Sequence, residues 1–114
     1  MKEEREIVSE IIVVLRNLGE ERFAVLLEDS LEFGDEDFRE YLVSNTMWGG
    51  SGSLPDQQLF SNGKELNEEM KKELRSDFRK LIIKLGTLQI KNNMTNPRTG
   101  MWVSAYTDWE RNGL

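Results

Sequence analysis

Residues 66–85 read Leu66-Asn67-Glu68-Glu69-Met70-Lys71-Lys72-Glu73-Leu74-Arg75-Ser76-Asp77-Phe78-Arg79-Lys80-Leu81-Ile82-Ile83-Lys84-Leu85. Leu66, Met70, Leu74, Phe78, Leu81, Ile82 and Leu85 recur at intervals that place them on one face of a helix, for about five turns. Charges of both signs fill the positions between, so the opposite face is solvated. Ahead of this run Asn62-x-x-Glu65 has the form of a capping box, whose side chains satisfy the first free amides of a helix. Gly86 offers a stop, whereas Leu88 would extend the apolar stripe as far as Lys91, and the pattern is compatible with either end. A helix of this length needs other helices to cover its apolar face, and the rest of the chain supplies them.

Upstream, Ile7, Val8, Ile11, Ile12, Leu15 and Leu18 predict a first helix from Lys2 to Leu18, closed at Gly19. Glu20-Glu21 open a second helix, where acids complement the exposed amides, and its expected core stripe is Phe23, Leu26, Leu27 and Leu31. Gly34 interrupts that pattern. Asp35 is expected to cap a third, shorter helix through its carboxylate, with Phe38, Tyr41 and Leu42 facing inward. Short links between the three imply antiparallel neighbours. Between Asn45 and Gly63 the periodicity gives way to Trp48-Gly49-Gly50-Ser51-Gly52-Ser53-Leu54-Pro55-Asp56, in which three Gly and one Pro argue against regular structure. From Asn92 onward turn formers dominate: Met101–Tyr106 fits a short strand or a segment packed across the bundle, and Thr107–Glu110 a last helical turn. The expectation is therefore one all-α domain over 1–114, built of about four helices. It comprises an acidic three-helix part (1–47), a Gly-rich loop (48–63), a long helix (64–91) and an irregular or short β tail (92–114).

Composition narrows the chemistry. The 114 residues contain no Cys and no His, which removes disulfides, thiolate nucleophiles, Cys/His zinc sites and the commonest proton-transfer side chain. The formal charge of -6 disfavours a nucleic-acid or membrane-surface partner, since both need clustered Lys and Arg. Residues 1–47 carry 13 acids against 5 bases, whereas 48–114 carry 8 against 10, so the acidity sits in the first half. The longest wholly apolar run is Ile11–Leu15, too short for a signal peptide or a membrane span, and a cytoplasmic location is expected. Asn93-Met94-Thr95 is then a coincidental glycosylation sequon.

Three constellations carry candidate chemistry. Glu28, Asp29, Glu32, Asp35, Glu36 and Asp37 crowd around one helix junction. They lack the ordered spacing of a calcium loop, and they read either as a solvated helix end or as a surface complementary to a basic partner. The Gly49–Ser53 string could cradle a phosphate on its amides, yet no Lys follows until Lys64, so the phosphate-loop pattern is missing. That reading would need Lys64 or Arg39 folded against the loop. The structural alternative has Gly supplying positive φ while Trp48 and Leu54 anchor both loop ends in the core. Trp102, Tyr106 and Trp109 suit either a recognition patch or the core. Lys71, Lys72, Arg75, Arg79, Lys80 and Lys84 alternate with Glu68, Glu69, Glu73 and Asp77, a mixed solvated face on which Glu68 can pair with Lys72.

The string Met47-Trp48-Gly49-Gly50-Ser51-Gly52-Ser53-Leu54-Pro55-Asp56, followed by the helix that opens at Asn67 and carries Leu74-Arg75, resembles a group of small bacterial proteins. In these, two N-terminal helices lead into a Gly-Gly-x-Gly-Ser-hydrophobic-x-Asp loop. The resemblance covers roughly residues 5–85. Gly49, Gly50, Gly52, Ser53, Leu54 and Asp56 carry over, and Pro55 stands where the pattern has a more polar residue. Such proteins look like immunity proteins of polymorphic-toxin systems. The resemblance implies an inhibitor of another protein; taken with the acidic first half and the lack of His and Cys, the expectation is a non-enzymatic module with no cofactor and no metal, whose partner is a basic toxin domain. The residues expected to meet that partner are the six carboxylates named above together with Trp48, Gly49, Gly50, Gly52, Ser53 and Asp56. An anionic-ligand protein or enzyme built on the Gly loop, and a self-associating subunit, are the alternatives.

Overall fold

The structure, a computed structural model, describes residues 1–57 and 66–113. Its elements run α1 (Lys2–Asn17), α2 (Glu21–Ser30), α3 (Asp35–Leu42), a single turn α4 (Asn45–Trp48), a 3-10 turn (Leu54–Asp56), α5 (Glu68–Lys91) and α6 (Thr99–Arg111). Among the described residues there is no strand, and the fold is all-α. The capping-box residues Asn62 and Glu65 lie outside the described residues, and the cap observed is Asn67, whose side chain accepts from the Met70 amide at 2.8 Å.

α1 ends in a Schellman motif: the Glu20 amide donates to the Leu15 carbonyl at 2.8 Å and the Gly19 amide to the Arg16 carbonyl at 3.0 Å, with Gly19 at φ 79°. α5 closes the same way, with Met94 donating to Gln89 and Asn93 to Ile90, and Asn93 holds the left-handed position at φ 59°. The chain reverses at each of these ends, and pairings between helix ends show that α2 and α5 both run antiparallel to α1. Arg16 near the end of α1 meets Glu21 at the start of α2, Arg5 meets the Leu31 carbonyl at its end, and Glu4 accepts from Asn92 at 3.1 Å.

The open end of α5 falls at Lys91, and three expectations are corrected. Gly86 does not stop α5; it is buried mid-helix. A Cβ there would come well under 3.0 Å from Val103 Cγ2 and within 3.2 Å of Trp48 Cη2, so the missing side chain lets α6 approach closely. The tail is neither irregular nor β but the full helix α6, which packs along α5. The span from Asn45 contains α4 and the 3-10 turn, because Ser44 and Ser53 precede them in extended conformation and Pro55 suits a first helical turn. Finally Gly34, not Asp35, is the N-cap of α3, and the Asp35 carboxylate instead accepts from Arg5.

The core gathers Ile7, Val8, Ile11 and Leu15 of α1 with Leu18 just past its end, Phe23, Ala24 and Leu27 of α2, Phe38 and Leu42 of α3, and Phe78, Ile82 and Leu85 of α5 around Trp48 and Leu54. Leu26, Leu66 and Met70 of the expected stripes stand outside it. Leu26 is exposed, because among the described residues α1 is the helix that packs along α2. Met70 is exposed too: at about 36 Å from 24 residues, α5 outruns the roughly 24 Å of α1, and its first turns project past the core.

Candidate functional site

Arg5 organises the junction where the carboxylates crowd. Its guanidinium donates to the Leu31 carbonyl at 2.9 Å, the Phe33 carbonyl at 2.8 Å and Asp35 at 3.1 Å, and sits 4.3 Å from the Phe38 ring centroid. One cation thus satisfies the free carbonyls at the end of α2 and holds the start of α3. Arg16, in the last turn of α1, ties that helix to α2, donating to Glu21 at 3.0 Å and to Glu28 at 2.6 and 3.3 Å. That pairing holds the Glu28 carboxyl below its ordinary range, through the hydrogen bond to Arg16 first and its charge second.

Of the six expected carboxylates, Glu28 and Asp35 are therefore neutralised within the molecule. Asp29, Glu32, Glu36 and Asp37 are exposed and take part in no ion pair among the described residues. Residues that sequence reasoning missed lie among them: Leu26 is 39%, Phe33 40% and Val25 42% exposed. Their signal was present, since Val25-Leu26-Leu27 is a wider apolar arc than α1 alone can cover. Phe33 packs its edge on Tyr41, ring centroids 6.1 Å apart. The Tyr41 phenol is raised above its ordinary range by burial and by the nearby Asp29 charge.

The glycine loop lies at the other end of α3, about 10 Å of helix rise away. Trp48 is fully buried and donates from its indole to the Leu42 carbonyl at 2.9 Å, and Leu54 is fully buried as well. Gly50 and Gly52 take φ of 102° and 80°. Inside the loop the Gly52 amide donates to the Asp56 carboxylate at 2.9 Å, the Ser53 hydroxyl to the Gly50 carbonyl at 2.6 Å, and Gln57 to the Gly52 and Ser53 carbonyls. A carboxylate of the chain itself thus takes the amide an incoming anion would use. The cation beside the loop is Arg98, whose Nη1 would stand 2.7 Å from a Cβ on Gly50. Arg39 instead lines a depression with Val43, Asn92 and Met94, and Lys64 is outside the described residues. Of the six loop residues expected to meet a partner, Trp48, Gly50 and Ser53 are buried and shape the loop, while Gly52 and Asp56 are exposed and Gly49 is half-buried.

α6 covers this loop. Trp102 donates from its indole to the Trp48 carbonyl at 3.2 Å, and the Tyr106 hydroxyl to the buried Pro55 carbonyl. Tyr106 also packs against Phe78, Trp102 and Trp109, and burial pushes its phenol well above the ordinary range, with Asp56 adding to the rise and Arg79 opposing it. The aromatic trio is thus largely core, with Trp109 at its exposed end. On α5 the ion pair formed by Glu68 is with Lys71, not Lys72.

Among the described residues no three acidic side chains converge so as to hold a metal ion, and no helix is long and apolar enough to cross a membrane. No family model, curated protein or solved structure matches the chain.

Proposed function

We propose that this protein is a non-enzymatic protein-binding module, an immunity-type inhibitor that neutralises a cognate basic toxin domain through its α2–α3 face. The observation that carries this reading is the exposed set Asp29, Glu32, Glu36 and Asp37, unpaired among the described residues, beside exposed Val25, Leu26 and Phe33. Carboxylates already paired within the chain add little field outside it. Unpaired ones steer a cationic partner during encounter, and apolar side chains between them supply the desolvated centre an interface needs. Arg5 and Arg16 stiffen the backbone that presents them, so little ordering entropy is lost on docking.

The test is a pull-down from the native cell with tagged wild type and with the quadruple variant D29K/E32K/E36K/D37K, both checked for helicity. One stoichiometric partner held by wild type and lost by the variant is expected. Its association rate should fall at least tenfold between about 0.05 M and 0.5 M salt, as the Debye length shortens from over 10 Å to about 4 Å. Retention by both proteins, or an association rate indifferent to salt, would refute the electrostatic docking.

A further inference from the structure

A second surface lies on the opposite flank of α1 from Arg5 and Arg16. Glu10, Val13 and Val14 of α1 and Asp77, Lys80 and Leu81 of α5 line an open depression of about 420 Å3. From Asp77 it continues towards the start of α5 past Asn17, Glu73, Leu74 and Met70. The floor is apolar, and two of its side chains are unusually bare for a helix pair, Val13 at 59% and Met70 at 45% exposed. Met70 to Leu81 spans about 16 Å of helix rise, three turns. Its rim carries Glu10, Glu73 and Asp77, all exposed and none in an ion pair among the described residues, against the single cation Lys80.

We infer that this groove seats a basic amphipathic helix of a partner protein, about three turns long. Its apolar stripe covers Val13, Val14, Leu74 and Leu81, while its Lys or Arg side chains meet Glu10, Glu73 and Asp77. Charge decides against a second copy of the chain. The exposed stripe of α1 beside the groove carries Glu3, Glu6 and Glu10, and the chain as a whole is at -6, so two copies meeting here would repel. The inference stands apart from the inhibitor reading, since it uses none of the α2–α3 carboxylates.

The probe is a fluorescein-labelled helical peptide of about 14 residues, made of Leu and Lys with Leu on one face, compared by anisotropy with a scrambled peptide of the same composition. The amphipathic peptide should bind at least tenfold more tightly than the scrambled one at about 0.15 M salt. Val13→Asp and Asp77→Lys, each at an exposed site, should each weaken it at least tenfold, and Asp108→Lys, exposed on α6 and outside the groove, by less than threefold. Equal binding of the two peptides, or no binding, would overturn the inference. So would equal losses in Asp77→Lys and Asp108→Lys, or self-association of wild type in sedimentation that Val13→Asp abolishes.

Discussion

Gly86→Ala separates helix propensity from packing in a single cycle. In an open helix the change would stabilise the protein by about 1 kcal/mol, the usual cost of Gly relative to Ala. Here the new methyl would meet Val103 Cγ2 well under 3.0 Å away, with Trp48 Cη2 at 3.2 Å and Thr99 Cγ2 at 3.5 Å. Relieving that overlap means moving α6 off α5, and overpacking of this kind costs about 1–3 kcal/mol. The net expectation is a loss of about 1 kcal/mol. Val103→Ala removes the clashing atom, leaving only the 3.2 Å approach to the edge of Trp48, which a few tenths of an ångström relieve. In that background Gly86→Ala should therefore stabilise, by up to about 1 kcal/mol. Urea denaturation followed by far-UV circular dichroism reads all four corners of the cycle, and a domain of this size is expected to unfold in one step. Equal effects of Gly86→Ala in both backgrounds, within the roughly 0.5 kcal/mol expected of independent sites, would refute the close α5–α6 packing.

Tyr106→Phe should cost about 1–3 kcal/mol, because it leaves the buried Pro55 carbonyl without its donor. The phenol is held protonated in the folded chain while an unfolded Tyr loses its proton near pH 10, so its contribution is complete below about pH 10 and declines above it. The gap between wild type and variant should accordingly narrow between pH 9 and 11, and an unchanged gap would show that Tyr106 titrates normally. At the end of α5, Asn93→Ala should destabilise by about 1 kcal/mol and Asn93→Gly should not, since only the first forces a Cβ with no local hydrogen bonding into the left-handed region; equal melting curves would count against that cap. Glu28 should titrate below the usual carboxylate range by NMR and shift upward in Arg16→Ala. Its contribution to stability is present above the ordinary carboxylate pKa and is lost as pH falls through the lowered value, a small effect for so exposed a pair.

Local spacing was enough to place α1, α2, α3 and α5, because a helix is closed by hydrogen bonds four residues apart and its apolar period is written in consecutive residues. It also located the loop anchored by Trp48 and Leu54, and the run Ile11–Leu15 already implied an outward side chain, since five consecutive residues sweep right round a helix. α6 was harder to see. Its stripe of Trp102, Tyr106 and Trp109 has helical spacing, but the run is short and begins beside Asn96-Pro97. Asn96 is held by the Val43 carbonyl and Asn45, some fifty residues away. The end of α5 stayed open for a related reason: Gly86 ends a helix only in a left-handed conformation, and the helix that packs against it comes later in the chain. The candidate site divides the same way. The carboxylates are plain in residues 28–37, but which stay unpaired depends on Arg5 and Arg16, brought to them by the antiparallel packing of α1 on α2. Sequence by itself determined where α1, α2, α3 and α5 lie and that the first half is acidic. Tertiary structure decided which of those charges stay unpaired and which apolar side chains stay exposed, because burial and ion pairing are settled between residues distant in the chain.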